Sequence, residues 1–173
     1  MAPQTSYAIN IPAVSYPGQV ADDGYKDVLS AAAFAAAMVY GILAITDETN
    51  TVGFDQLAAR APSASADITV VGAQLGVVVA DQARAQNPAF ANPVYPQYAA
   101  VPCMRKGRIW VNAETACTDG TSPYVRYGAG GSGINGNFAG AAGANLAQMP
   151  SGQAIFRGTT SGAGYAVVEL DIV

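Results

Sequence analysis

The sequence predicts a mainly β fold, a compact β-barrel or sandwich with an extended N-terminal arm and long loops rich in glycine and proline. Three observations support this fold class. The last nine residues alternate between two faces, short apolar runs elsewhere end at glycine or proline, and helix signals are few. We therefore divide the 173 residues into an arm, residues 1–24, and a single β domain, residues 25–173.

The terminal segment is the clearest predicted strand. Ala166, Val168, Leu170 and Ile172 fall on one face of a period-two pattern, and the remaining positions, two of them acidic, fall on the other. This alternation is typical of a strand that packs one face against a core.

Further strands are predicted where β-branched or apolar residues run together between turn signals. These runs are residues 67–71, 74–80, 108–112 and 124–127. Gly72 predicts a turn between the first two runs, and Lys106 with Gly107 predicts a tight turn before the third.

Residues 28–46 carry no charge and are just long enough to cross a bilayer. Alanine fills much of the first half and gives little drive for insertion, and no basic cluster flanks the stretch to set its orientation. We therefore expect no membrane span. The prediction is a short helix near residues 31–37, followed by a buried strand over residues 38–45.

The N-terminal arm is interrupted by Pro3, Pro12 and Pro17, which exclude a helix and disfavour a central strand. The apolar residues of the arm disfavour full exposure to water, so we expect the arm to pack on its own domain or on a neighbouring subunit. Two long loops are also predicted, residues 85–102 with four prolines and residues 128–143 with seven glycines. Loops of this length are flexible or functional, and contact with neighbouring subunits is one such function.

The composition indicates a protein whose surface is covered by partners. Charged residues make up 12% of the chain, against about 25% in a typical soluble domain. The alternative is that small uncharged residues cover the surface and keep the protein soluble without a partner. The net charge of -4 and the small basic cluster Arg105, Lys106 and Arg108 argue against nucleic acid as a partner.

The chemistry-bearing residues predict no catalytic, cofactor or metal site. The chain has no histidine, which removes the common triads and histidine metal sites. The glycines of residues 128–133 match a dinucleotide motif, but no helix pattern follows them. Asp22, Asp23 and Asp27 lack the spacing of a calcium loop. Glu114 and Asp119 are expected to be exposed loop carboxylates.

The two cysteines, Cys103 and Cys117, could face each other across a hairpin. A disulfide between them would close a loop of about 15 residues and stabilise the fold by about 3 kcal/mol in the chain-entropy model. Assembly in a reducing cytoplasm disfavours such a bond, so we expect free thiols.

Five segments, taken in order, resemble the family of phage structural cement or capsid decoration proteins. The first is Tyr-Pro-Gly-Gln-Val-Ala-Asp-Asp-Gly at residues 16–24, which leads into residues 26–30. The others are the glycine-containing run 38–45, the glycine-started strand 76–84, the Lys-Gly-Arg-Ile-Trp-Val segment within 101–111, and the terminal Val-Val-Glu-Leu. The alanine-rich residues 30–37 and the glycine loop after Tyr127 depart from the family pattern, which leaves the oligomer geometry open.

The resemblance implies a mostly β protein without catalysis on the outer capsid surface, bound to the major capsid protein where coat subunits meet. The chain would be made in the host cytoplasm and would associate with itself, as trimers in preference to dimers. No cofactor, metal, nucleic acid or membrane is expected. The candidate interface residues come from the arm and the proline-rich loop: Ile9, Ile11, Val14, Tyr16, Pro17, Gly18, Gln19, Asp22, Pro93, Tyr95, Pro96 and Tyr98.

Two other interpretations stay open at this point. The chain could be a different virion component, such as a head fibre base or a tail part. It could also be a carbohydrate-binding β domain, which a glycan array would distinguish from a cement protein.

Overall fold

The computed structural model describes residues 16–21, 26–34, 36–47, 57–80, 94–128 and 133–172. The predicted β fold is confirmed, because the described elements are twelve strands and one short helix. The strands are β1 (Asp27–Ala33), β2 (Met38–Val39), β3 (Leu43–Thr46), β4 (Ala58–Arg60), β5 (Gln74–Val78), β6 (Val94–Tyr95), β7 (Ala100–Ala113), β8 (Tyr124–Arg126), β9 (Phe138–Ala139), β10 (Leu146–Gln148), β11 (Ala154–Phe156) and β12 (Gly164–Asp171). The helix is α1 (Ala66–Thr69).

Five strands close a barrel in the order β1, β4, β3, β5, β7 and back to β1. The pairing of β1 with β4 is parallel, and the other four pairings are antiparallel. Closure of this kind removes the open sheet edges at which strands from other chains could pair.

Strand β7 is the central strand of the main sheet, because its 14 residues pair with several other strands along its length. Its first half pairs with β1 and β5, and its second half pairs with β12 over residues 106–113. Strand β11 extends the sheet beyond β12, and β9 leads from the end of β7 to β8 and β10.

The apolar side chains form two core clusters. The first lies under β7, β11 and β12 and includes Ile109, Val111, Phe156 and Val168. The second includes Met38, Tyr40, Tyr95, Val101 and Cys103. The predicted inner face of the terminal strand is confirmed, since Ala166, Val168, Leu170 and Ile172 are all buried.

The helix predicted near residues 31–37 is wrong. Ala31–Ala33 end strand β1, where Ala32 pairs with Ala58 on one side and Ala100 on the other. Tertiary pairing overrides the helix propensity of alanine, because the backbone of this segment pairs with a strand on each side.

The single strand predicted over residues 38–45 is also wrong. A turn at Tyr40 and Gly41 divides it into β2 and β3. Gly41 has a φ of +74°, a conformation that glycine adopts without the steric penalty of a side chain.

Residues 67–71, predicted as a strand, instead contain most of α1. The Asp67 carboxylate accepts hydrogen bonds from the backbone N–H groups of Ser63 and Ala64 and from Arg60, and these contacts fix the start of the helix. Gln74 closes the far end by donating from Nε2 to the Ile68 carbonyl. The predicted turn at Gly72 is confirmed.

The tight turn predicted at Lys106 and Gly107 is wrong, because β7 runs straight through both residues while its partners change. The two loops are shorter than predicted. Pro102 lies within β7 and pairs with Ser30, and the glycine-rich loop contains β9. Within the described residues, no helix has the length and apolar character needed to cross a bilayer.

Candidate interaction surface

The end of the N-terminal arm is bound to the barrel of its own chain. The Gly18 N–H donates to the Trp110 carbonyl at 2.7 Å, and the Trp110 N–H donates to the Gln19 carbonyl at 2.8 Å. Val20 forms an antiparallel bridge with Ile109. Residues 18–21 therefore occupy the edge of β7 next to the end of β5, and we name them the arm strap.

Gly18 is where the arm strap passes closest to the barrel. A Cβ atom at this position would lie 2.7 Å from the Val78 carbonyl oxygen and 2.8 Å from the Ala80 nitrogen. Its φ of +81° also disfavours any other residue. At Gly41 a Cβ atom would lie 2.6 Å from Pro17 Cβ, so the two glycines permit one close contact.

The candidate residues of the arm have different positions. Ile9, Ile11, Val14 and Asp22 lie outside the described residues. Tyr16, Pro17 and Gln19 are half-buried, and Gly18 is buried. Burial also raises the pKa of the Tyr16 hydroxyl.

In the proline-rich loop, Pro93 lies outside the described residues and Tyr95 faces inward. Tyr95 is 5% exposed, its ring lies 5.1 Å from that of Tyr40, and its hydroxyl donates to the Val79 carbonyl. Tyr95 therefore packs the second core cluster.

Tyr98 is the exposed residue of this loop. Its side chain is 64% exposed, and its ring meets Phe34 edge to face at a centroid distance of 5.8 Å. Pro96 and Gln97 are exposed beside it. We name residues 96–99 the aromatic turn.

The structure brings the two predicted groups together. The arm strap contacts Gly41, Val78 and Ala80, while the β6 strand before the aromatic turn contacts Tyr40 and Val79. Phe34, whose ring contacts that of Tyr98, was not predicted from the sequence. The two residues lie 64 positions apart, and the local sequence around neither of them indicates the contact.

Two residues of the basic cluster on β7, Lys106 and Arg108, are paired with acids on β12. Lys106 Nζ lies 2.8 Å from Asp171, and Glu169 accepts from Arg108 at 2.8 Å and from Arg157 at 2.9 Å. The hydrogen bonds from Arg157 and Arg108 lower the pKa of Glu169 to about 2. These cations are neutralised within the chain.

Glu114 was predicted to be an exposed loop carboxylate, and this is wrong. Arg126 donates from Nε and Nη2 to the Glu114 carboxylate, and the two side chains are 10% and 14% exposed. A Cβ atom on Gly133 would lie within 2.2 Å of both partners, so the glycine leaves room for the pair. Asp119 is exposed, as predicted, and accepts from the Gly158 N–H.

The Glu114–Arg126 pair lines a cleft of about 420 Å³ that also contains Asn112 and Asn137. The hydrogen bonds that Arg126 donates to the Glu114 carboxylate raise the pKa of the Arg126 guanidinium. Among the described residues, no group of three or more acidic or cysteine side chains could hold a metal ion.

The two cysteines are free and buried in different core clusters, Cys103 in the second and Cys117 in the first. Burial raises the pKa of the Cys103 thiol to about 12 and also raises that of Cys117. Both thiols are therefore protonated at neutral pH and are poor nucleophiles.

Comparison with known proteins gives one family and one fold. A family model described as structural cement protein (E217 gp24/Pam3 gp6) matches residues 3–172. No curated protein sequence matches. A chain from "The capsid of Myoviridae Phage XM1" has a TM-score of 0.67 and 12% identity, with 98% of this chain and 100% of that chain covered.

At 12% identity, the likeness to the XM1 capsid chain shows a shared fold. The family model matches all but the ends of the sequence, and its members are structural proteins of the phage capsid. The chain therefore belongs to the structural cement protein family of bacteriophages and is a capsid-associated component of the virion.

Proposed function

We propose that this cement protein lies on the outer surface of the capsid and binds the major capsid protein where coat subunits meet. A protein that binds only the assembled lattice stabilises that lattice by mass action, because dissociation of the shell must also break its contacts. In this proposal the chain is made in the host cytoplasm and joins the shell there.

The observation that carries the proposal is the internal pairing of charge. Most basic residues that the structure describes are bound to acids of the same chain: Arg60, Lys106, Arg108, Arg126 and Arg157. Few cations remain to attract an acidic partner. The contact with the coat then depends on apolar burial and backbone hydrogen bonds.

The arm supplies one part of that contact. The arm strap lies on the barrel, and the first 15 residues precede it in the sequence. If extended, they reach about 50 Å, enough to cross a boundary between subunits. We propose that Ile9, Ile11 and Val14 pack on the coat or on a neighbouring copy.

Three further observations support a purely structural role. Glu114 is held by Arg126, Cys103 is protonated and buried, and the net charge is -4. We therefore propose that the chain has no catalysis, no cofactor and no nucleic acid or membrane partner. We also propose that copies associate with one another, as trimers in preference to dimers.

The test is to add the purified protein back to capsids stripped of it, at low salt and at 0.5 M salt. Apolar contacts are not screened, so we expect the same affinity in both. A matched pair of truncations separates the roles of the arm. Loss of residues 2–15 should weaken binding and keep the fold, whereas loss of residues 2–24 also removes the arm strap.

Two outcomes would overturn parts of the proposal. Release of the full-length protein at 0.5 M salt would contradict the apolar contact. Undiminished binding by the variant that lacks residues 2–15 would exclude the arm from the contact.

A further inference from the structure

The aromatic turn is held rigidly by the end of β1. The Tyr98 N–H donates to the Ala33 carbonyl, and the Ala33 N–H donates to the Ala99 carbonyl at 3.0 Å. Gln97 donates from Nε2 to the Phe34 carbonyl at 2.8 Å. The turn therefore holds one conformation before any partner arrives, which reduces the entropy lost on binding.

The backbone of Tyr98 adopts a conformation that costs free energy. Its φ is +65°, a region that non-glycine residues rarely adopt and that is least costly for Asn and Asp. The ring is nevertheless 64% exposed, so burial in the isolated chain does not offset this cost. Backbone strain that the surrounding bonds enforce at an exposed aromatic residue is typical of a binding position.

The described residues that flank Tyr98 along the chain carry no charge, and Arg60, which borders Ala36 and Ala37, is paired with Asp67. Two charge-free stretches of the sequence, residues 28–46 and 85–104, meet here through the pairing of β2 with β6 and of Ala33 with the aromatic turn. Ala36, Ala37, Pro96 and Ala100 are exposed within these stretches. We name these four residues and Tyr98 the neutral patch.

We infer that the neutral patch is where copies of this chain contact one another, with Tyr98 at the centre of the contact. Each copy carries a net charge of -4, so two copies repel except where they meet through uncharged surface. Tyrosine is among the residues that dominate interface energies. A symmetry axis close to the aromatic turn brings the same ring from each copy into the contact.

This inference rests on the self-association proposed above and adds the surface that mediates it. The test measures the mass of the purified protein by light scattering across a range of concentrations, separately from capsid binding. The decisive variant is Tyr98→Asn, because asparagine tolerates a positive φ and keeps the turn while removing the ring. The matched control is Tyr165→Thr, which removes another exposed ring, 48% exposed, from strand β12.

We expect the wild type and Tyr165→Thr to form the same oligomer. Tyr98→Asn should keep the wild-type melting temperature. Its association constant should fall by at least roughly tenfold. It should still bind stripped capsids, with reduced avidity. A second measurement does not depend on whether Tyr98→Asn folds. Tyr98→Cys should form covalent dimers under mild oxidation, and Tyr165→Cys should not.

Two results would overturn the inference. The wild type could remain a monomer at every concentration, or Tyr98→Asn could keep the wild-type mass. Loss of capsid binding by Tyr98→Asn at an unchanged mass would instead assign Tyr98 to the coat contact, and the proposed function would stand without this surface.

Discussion

Gly18 allows the backbone of the arm strap to pack closely against the barrel. Substituting alanine would place a methyl group within 3 Å of the Val78 carbonyl oxygen and the Ala80 nitrogen, in a backbone conformation that already disfavours a side chain. Because both neighbours are backbone atoms, they cannot move aside as a flexible side chain would.

We predict that Gly18→Ala lowers the free energy of unfolding by about 2–4 kcal/mol. Gly72→Ala is the matched control, because Gly72 has a similar φ of +92° but open space around it. The control should cost only about 1–2 kcal/mol, from backbone conformation alone. Urea denaturation measures both values, and equal losses would show that the close contact at Gly18 is unimportant.

A second residue-scale prediction concerns the Glu114–Arg126 pair. Arg126→Leu leaves the Glu114 carboxylate in a nearly buried position without its partner, so we expect a loss of about 3 kcal/mol. Adding Glu114→Gln removes the stranded charge and should recover part of that loss. A double variant no more stable than the single one in urea would show that the charge itself is not the cause.

At the scale of elements, the charged ladder on β7 and β12, completed by Arg157 just after β11, contributes to the response to acid. The pKa of Glu169 is lowered from 4.5 to about 2 by its hydrogen bonds to Arg157 and Arg108. A carboxylate with a lowered pKa in the folded state stabilises the fold above its unfolded pKa, and that stabilisation is lost as the pH falls towards 2.

We therefore predict that the wild type loses stability between pH 4.5 and about pH 2, and that Glu169→Gln reduces this loss. The ladder is partly exposed, so the effect should be modest and should shrink in high salt. Urea midpoints measured across this pH range, at low and high salt, test the prediction. An identical pH dependence in the variant would assign the acid sensitivity to other carboxylates.

The elements also show where prediction from sequence succeeds. The terminal strand was predictable because its period-two pattern matches a sheet with one buried face. The helix at residues 31–37 was mispredicted because non-local strand pairing decided that segment. The strand at residues 67–71 was mispredicted because short-range side-chain hydrogen bonds start a helix there. Ala32 is placed by strands that begin 26 and 68 residues later, and α1 is fixed by the bonds of Asp67 to Arg60, Ser63 and Ala64.

The candidate surface was only partly predictable for the same reason. Proline and tyrosine spacing indicated the loop that contains Tyr98. No local pattern distinguishes the buried Tyr95 from the exposed Tyr98, since the aromatic contacts with Tyr40 and Phe34 decide which side chain faces the core.

At the scale of the whole molecule, a closed barrel with internally paired charges suits a protein that must bind without aggregating. Closure satisfies the strand edges of the barrel, and the ladder on β7 and β12 keeps that face polar. We propose the arm and the neutral patch as the surfaces that bind partners. In this account the two serve different contacts, the arm with the coat and the neutral patch with other copies.

The most direct test of the central claim is an electron cryomicroscopy reconstruction of the virion that contains this protein. We expect the barrels to lie on the outer face of the shell over the seams between coat subunits, with the first 15 residues extending across a seam. Barrels found on the inner face, at the tail, or on single coat subunits away from any seam would contradict it.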